Sequence, residues 1–101
     1  MLAIKSLILA AGLGTRLRPI TNTMPKCLVE IGGEPILNRW LREFEAISCK
    51  KTYINTHYFA EQVDQYIEQR PKTTMEIRTL YEKNLLGTAG TLLKNQSQFM
   101  D

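Results

Sequence analysis

Residues 7–31 read LILAAGLGTRLRPITNTMPKCLVEI. Gly12 and Gly14 follow the small residues Ala10 and Ala11 and lead into Thr15, Arg16 and Arg18, with Lys26 behind Pro25 further on. Glycine lets a backbone approach a ligand that a Cβ would hold away. Successive free N–H groups in such a turn form a concavity that takes anions. With Arg16, Arg18 and Lys26 around it, the natural occupant is a polyphosphate. Arginine offers a planar fork to phosphate oxygens, and lysine a compact point charge. A glycine-rich turn with solvated charges is the plainer alternative. Arg18 fits that alternative best, because an exposed loop charge needs no ligand.

Two well-known phosphate loops fail on spacing. G-L-G-T-R-L lacks the third glycine of the dinucleotide-binding fingerprint and runs into prolines instead of a helix. A Walker A loop would end in G-K-[ST], which does not occur here. His57, the one histidine, follows a strand end in NTHY, and without a partner carboxylate or second ligand it reads as structural.

The elements that must position this loop follow from periodicity. Residues 4–10 form an apolar run after Lys5, as in a strand covered on both faces. Residues 11–24 read as loop, residues 28–31 as a short extended piece closed by Gly32-Gly33, and Pro35 as the first turn of a helix. Leu37, Trp40, Leu41, Phe44 and Ile47 recur at helical spacing, which predicts an amphipathic helix with Trp40 and Phe44 in the core. Residues 52–56 predict a second strand and residues 60–69 a second helix ended by Pro71. Residues 74–81 predict a third strand with Met75, Ile77 and Thr79 inward, residues 82–87 a loop, and residues 88–98 a last helix. This alternation predicts an α/β fold: a Rossmann-like, mostly parallel sheet with helices on both faces and right-handed crossovers. A chain that stops just after a helix reads as truncated at the C-terminus, where a strand would come next.

The 101 residues suit one domain, and the net charge of +3 is not gathered into a basic tract, so nucleic acid gains little support as a partner. No apolar run is long enough for a membrane span, and the short run near Lys5 reads as a buried strand rather than a leader. Cys27 and Cys49 stand in no CxxC pattern and predict reduced thiols in a cytoplasmic protein.

AAGLGTRLRPITNTMPK resembles the signature loop of the sugar-1-phosphate nucleotidyltransferases, in the small residues before the glycines, the G-x-G-T-R-L-x-P core and the P-K that follows. EKNLLGTAGTL at residues 82–92 is similar to that family's base-contacting loop and following helix, and the helix opening PILNRWL stands where the family has one. The resemblance runs over essentially the whole chain. It implies that residues 1–101 are the N-terminal nucleotide-binding part of a nucleotidyltransferase domain. The implied reaction joins a nucleoside triphosphate and a sugar 1-phosphate into a nucleoside diphosphate sugar, releasing pyrophosphate, with Mg²⁺.

Arg16 and Lys26 become the catalytic residues under this resemblance. The nucleotide site becomes Ala10, Ala11, Gly12, Leu13, Gly14, Thr15, Arg16, Lys26, Glu82, Gly87 and Thr88. Amides of residues 13–15 would cradle the β- and γ-phosphates, Arg16 would take the leaving pyrophosphate, and Lys26 would sit on the reacting phosphates. A carboxylate only accepts hydrogen bonds, so Glu82 favours a base with adjacent donors, which tilts the reading toward guanine and a mannose-1-phosphate guanylyltransferase-like branch. The family holds Mg²⁺ with an aspartate ending the strand after this loop and helix. Asp101 comes too early, so the metal ligands are expected beyond residue 101 and none within this chain. An assembly of identical chains is compatible with the reading. The competing reading is a non-catalytic, nucleotide-sugar-binding regulatory subunit of the same fold, which the intact loop cations disfavour. A dinucleotide-binding oxidoreductase is disfavoured by the missing glycine and by Asn55 and Thr56 where an acid would stand.

Overall fold

The computed structural model describes residues 4–12, 14–84 and 87–96, the side chains of residues 87–89 apart. In chain order the elements are β1 (Lys5–Leu9), a loop of three short 3-10 turns, the hairpin strands β2 (Glu30–Ile31) and β3 (Glu34–Pro35), α1 (Ile36–Ala46), β4 (Lys51–Thr56), α2 (Ala60–Gln69), β5 (Glu76–Tyr81) and α3 (Gly87–Lys94). The main sheet runs β1-β4-β5 with both pairings parallel, and Ile8 stands beside Ile54.

Side chains alternate across a strand, so each strand serves two faces. Ile8, Ile54 and Ile77 point to one face, where Leu37 and Leu41 of α1 and Val63 of α2 complete the core. Leu37, Leu41 and Ile54 are fully buried, each contributing about 1.5–3 kcal/mol of transfer free energy. Tyr53 and Asn55 point to the other face and are buried there. Glu82 extends β5 on that side, its N–H bonded to the Thr56 carbonyl at 2.7 Å, and Thr91 of α3 donates to its carboxylate. Helices therefore serve both faces, in agreement with the Rossmann-like α/β fold expected from the sequence.

Three details differ from expectation. Trp40 is not core: it is 48% exposed, because Leu37 and Leu41 occupy the centre of the apolar stripe and leave Trp40 at its margin, against Phe44. The 11–24 loop is not irregular throughout but folds into turns at Thr15–Leu17 and Ile20–Asn22, with a third at Lys26–Leu28. Residues 28–31 are extended only at Glu30–Ile31, which pairs with Glu34–Pro35 around Gly32-Gly33. The last helix is described from Gly87, and the end expected for it at residue 98 lies outside the described residues.

Helix α1 closes through Ser48 at φ 60°, with Ser48 N–H on the Glu45 carbonyl and Cys49 N–H on that of Phe44, both at 3.0 Å. These paired bonds satisfy carbonyls that the helix end would otherwise leave open. Arg70 ties α2 back to α1, giving both terminal nitrogens to Glu45 at 2.8 Å and Nε to Asn38 at 2.8 Å. Its guanidinium holds the Glu45 carboxyl below the usual carboxylate range. No helix among the described residues is long and apolar enough to cross a membrane.

Candidate functional site

Strand β1 delivers Ala10 and Ala11, both buried, to the carboxyl edge of the sheet, where α/β folds bind ligands. The chain then turns at Gly14, whose φ of 65° and ψ of 35° are left-handed. Only glycine adopts that region freely. A Cβ there would also meet the Thr21 methyl at 2.8 Å and Lys26 Cβ at 3.2 Å. Thr21 is fully buried and its hydroxyl donates to the Gly14 carbonyl at 2.6 Å, so the loop folds back on its own glycine. Tyr58 donates to the Thr21 carbonyl at 2.6 Å, and Gln62 Nε2 to the Thr23 carbonyl at 2.8 Å. The start of α2 thus holds the loop from behind.

The turn leaves Thr15 and Arg16 exposed, and Lys26 is exposed at the head of its own short turn. The side chains of Arg16, Arg18 and Lys26 each lack a hydrogen-bond or ion-pair partner among the described residues. Lys26 and Gly12 line one cleft of about 310 Å³ with Leu9, Ala10, Ile36 and Trp40. Among the described residues, no atom beyond the chain neighbours lies within 4 Å of the place a Cβ would take at Gly12, so the backbone there is open to a ligand. Cys27, beside Lys26, is buried, and burial pushes its thiol up to about 11.

On the other side of Ala10 stands a polar network that sequence reasoning did not assign. Asn55, beside Leu9 in register, accepts the Ala10 and Ala11 N–H groups at Oδ1, the latter at 3.2 Å. Its Nδ2 donates to Glu82 Oε2 at 3.4 Å, and Thr91 Oγ1 donates to the same oxygen. His57 Nδ1–H donates to the Glu82 carbonyl at 2.7 Å, which fits the structural reading of that histidine. Glu82, expected from the sequence to face a base, is held within this network. Its side chain is 2% exposed and turned beneath α3, because it continues the alternation of β5 on the Asn55 side.

Residues 5–101 match the sequence profile of the family described as Nucleotidyl transferase. The chain belongs to that family. Among its relatives is the N-acetylmuramate alpha-1-phosphate uridylyltransferase of Caulobacter vibrioides, 43% identical over 65 residues, which are 64% of this chain and 27% of that protein. The mannose-1-phosphate guanylyltransferase catalytic subunit beta of Drosophila melanogaster is 38% identical over 89 residues, 87% of this chain and 24% of that protein. The chain therefore spans about a quarter of the length of these relatives. The crystal structure of HddC from Yersinia pseudotuberculosis complexed with GMP-PN superposes with a TM-score of 0.81 at 28% identity, covering 97% of this chain and 44% of that one.

For this nucleotidyl transferase chain, the fold brings Gly12, Gly14 and Lys26 together beside Ala10 and Ala11. Gly87 opens α3, whereas Leu13 and the Thr88 side chain lie outside the described residues. The N–H groups of Ala10 and Ala11 are committed to Asn55 and are not free donors for a phosphate. Asn55 and Thr91 carried one readable signal, a polar residue where an apolar strand or helix faces the sheet.

Proposed function

We propose that the protein of which these residues form a part transfers a nucleotidyl group from a nucleoside triphosphate to a sugar 1-phosphate. The observation that carries this reading is the pair of exposed, unpartnered cations, Arg16 and Lys26, on a loop turned at Gly14 beside an open cleft. A phosphate oxygen of the sugar 1-phosphate forms the new bond to the α-phosphorus. The bond from that phosphorus to the bridging oxygen breaks, and pyrophosphate leaves with the electron pair. No covalent intermediate on the protein is needed, so catalysis consists of positioning and charge neutralisation. Arg16 takes the departing pyrophosphate, Lys26 the reacting phosphates, and the backbone about Gly12, Gly14 and Thr15 the remaining phosphate oxygens. Ala10 and Ala11 contribute smallness at the strand end, and Gly87 and Thr88 border the nucleoside side.

Among the described residues no group of three His, Cys, Asp or Glu side chains is placed to hold a metal, and Glu82 is engaged by Thr91 and Asn55. No step above is routed through a metal. Mg²⁺ enters the proposal as a companion of the triphosphate, with carboxylate ligands beyond residue 101. A cytoplasmic setting accords with two free, buried cysteines, and assembly of identical chains stays within the reading. The regulatory-subunit alternative gains no support, since the relatives are named as transferases.

Guanine is the base we favour, and it now rests on the guanylyltransferase relatives rather than on Glu82. Pyrophosphate release by the full-length protein, assayed with a panel of triphosphates and sugar 1-phosphates, tests both levels. GTP is expected to give the highest kcat/KM. Higher efficiency with UTP or dTTP removes the guanine assignment and leaves the transfer standing. No release with any pair overturns the transfer itself.

A further inference from the structure

We propose that Asn55 is a positioning residue that holds the phosphate-side loop and the base-side loop of the triphosphate site in one register. The proposal rests on the nucleotidyl-transfer reading and adds to it a residue that does not touch substrate. At Oδ1, Asn55 accepts the N–H groups of Ala10 and Ala11, the last residues before the glycine turn. At Nδ2 it donates to Glu82, the residue from which the base-side loop departs. Thr91 then links the same carboxylate to α3. A primary amide is the side chain that accepts two N–H groups at its oxygen while donating to a carboxylate from its nitrogen. Aspartate would set a second carboxylate against Glu82, and leucine would leave buried partners on both loops unsatisfied.

The rest of this segment acts in the same sense. His57 donates to the Glu82 carbonyl at 2.7 Å, and Tyr58 to the Thr21 carbonyl at 2.6 Å. The end of β4 and the turn that follows it therefore grip the phosphate loop at its beginning and its middle, and the base-side loop at its root. A triphosphate spans both loops, so a small change in their separation falls on its binding, whereas a sugar phosphate contacting other parts of the chain is spared. Asn55 also commits the Ala10 and Ala11 amides, so the free donors of the anion site begin only at Gly12.

Amide exchange across the pair provides the test in the full-length protein. Asn55→Asp keeps the acceptor for Ala10 and Ala11 but loses the donor to Glu82. Asn55→Asp combined with Glu82→Gln restores that bond with donor and acceptor interchanged and the same total charge. The single variant is expected to raise the triphosphate KM about tenfold with the sugar-phosphate KM within about twofold, and the double variant to recover to within about threefold. Calorimetric binding of GTP should follow the same order. An inactive wild-type protein would overturn the transfer reading. An active wild type with an unaltered Asn55→Asp variant, or a double variant no better than the single one, would overturn this proposal. Equal losses for both substrates that follow thermal stability would also do so, assigning Asn55 to folding alone. Hydrogen exchange on the wild type keeps the test independent of the variants' folding. The Ala10 and Ala11 amides are expected to exchange slowly, and exchange at the rate of an exposed loop would sink the idea.

Discussion

Arg16→Ala in the full-length protein is expected to lower kcat by ~10²–10³ while leaving the KM for sugar phosphate within a few-fold, the usual cost of losing one charge-stabilising donor. The structure supplies the reason for so unequal a split. Arg16 sits in the exposed turn Thr15–Leu17 with no partner among the described residues, so its loss costs the fold little. Its planar fork is free for an anion, and under the proposed transfer the anion whose charge grows in the transition state is the pyrophosphate leaving group. An interaction that strengthens as the leaving bond breaks appears in kcat, whereas uniform binding appears in KM. Steady-state kinetics on Arg16→Ala and Arg16→Lys separate the two, with lysine restoring charge but not the bidentate geometry. A loss of less than tenfold for the alanine variant would take Arg16 out of the mechanism.

Gly14→Ala is expected to destabilise the protein by about 2 kcal/mol or more and to raise the triphosphate KM at least tenfold. Two costs combine at this position. A φ of 65° costs an L-residue roughly 1–2 kcal/mol. The new methyl would also press on the Thr21 methyl from 2.8 Å, which adds an overpacking cost on the order of 1–3 kcal/mol. Thr21 cannot simply rotate away, because it is fully buried and its hydroxyl is bonded to the Gly14 carbonyl. Relief must come from the loop itself, which carries Arg16 on one side and Lys26 on the other. Gly12→Ala is the contrasting case. Its Cβ meets nothing within 4 Å among the described residues beyond its chain neighbours, so stability should change by only about 0.5 kcal/mol. Urea unfolding of both variants decides the matter: equal stability for Gly14→Ala and wild type would mean that the loop does not turn at Gly14 as described.

What could be read from the residues alone was what periodicity and glycine chemistry encode. The strands around Ile8, Ile54 and Ile77 and the helices around Leu41 and Val63 followed from spacing, because burial of one face imposes it. Trp40 falls outside the core because a stripe reveals which residues are apolar, not how wide a surface the sheet offers to cover them. The turns inside residues 11–24 were hidden since they depend on Thr21, Tyr58 and Gln62, which are distant in sequence or chemically unremarkable. Glu82 illustrates the deeper limit. Its residue type announced an acceptor, but only the meeting of β4, β5 and α3 decides whether Asn55 and Thr91 or a ligand will use it.

The position of Cys27 has a consequence for anyone handling this molecule. With its thiol raised to about 11 by burial, only roughly one in ten thousand of these sulfurs is ionised at neutral pH. Maleimides and oxidants should therefore ignore it for as long as the loop stays shut. Whatever slow labelling does occur marks moments when the stretch after Pro25 has lifted, so Cys27 serves as a built-in clock for loop opening beside Lys26. In a variant whose other cysteines are serine, a bound triphosphate that draws Lys26 inward should slow that clock, which mass spectrometry can follow without any turnover. A nucleotide that leaves the labelling rate unchanged would show that binding does not tighten this stretch of chain.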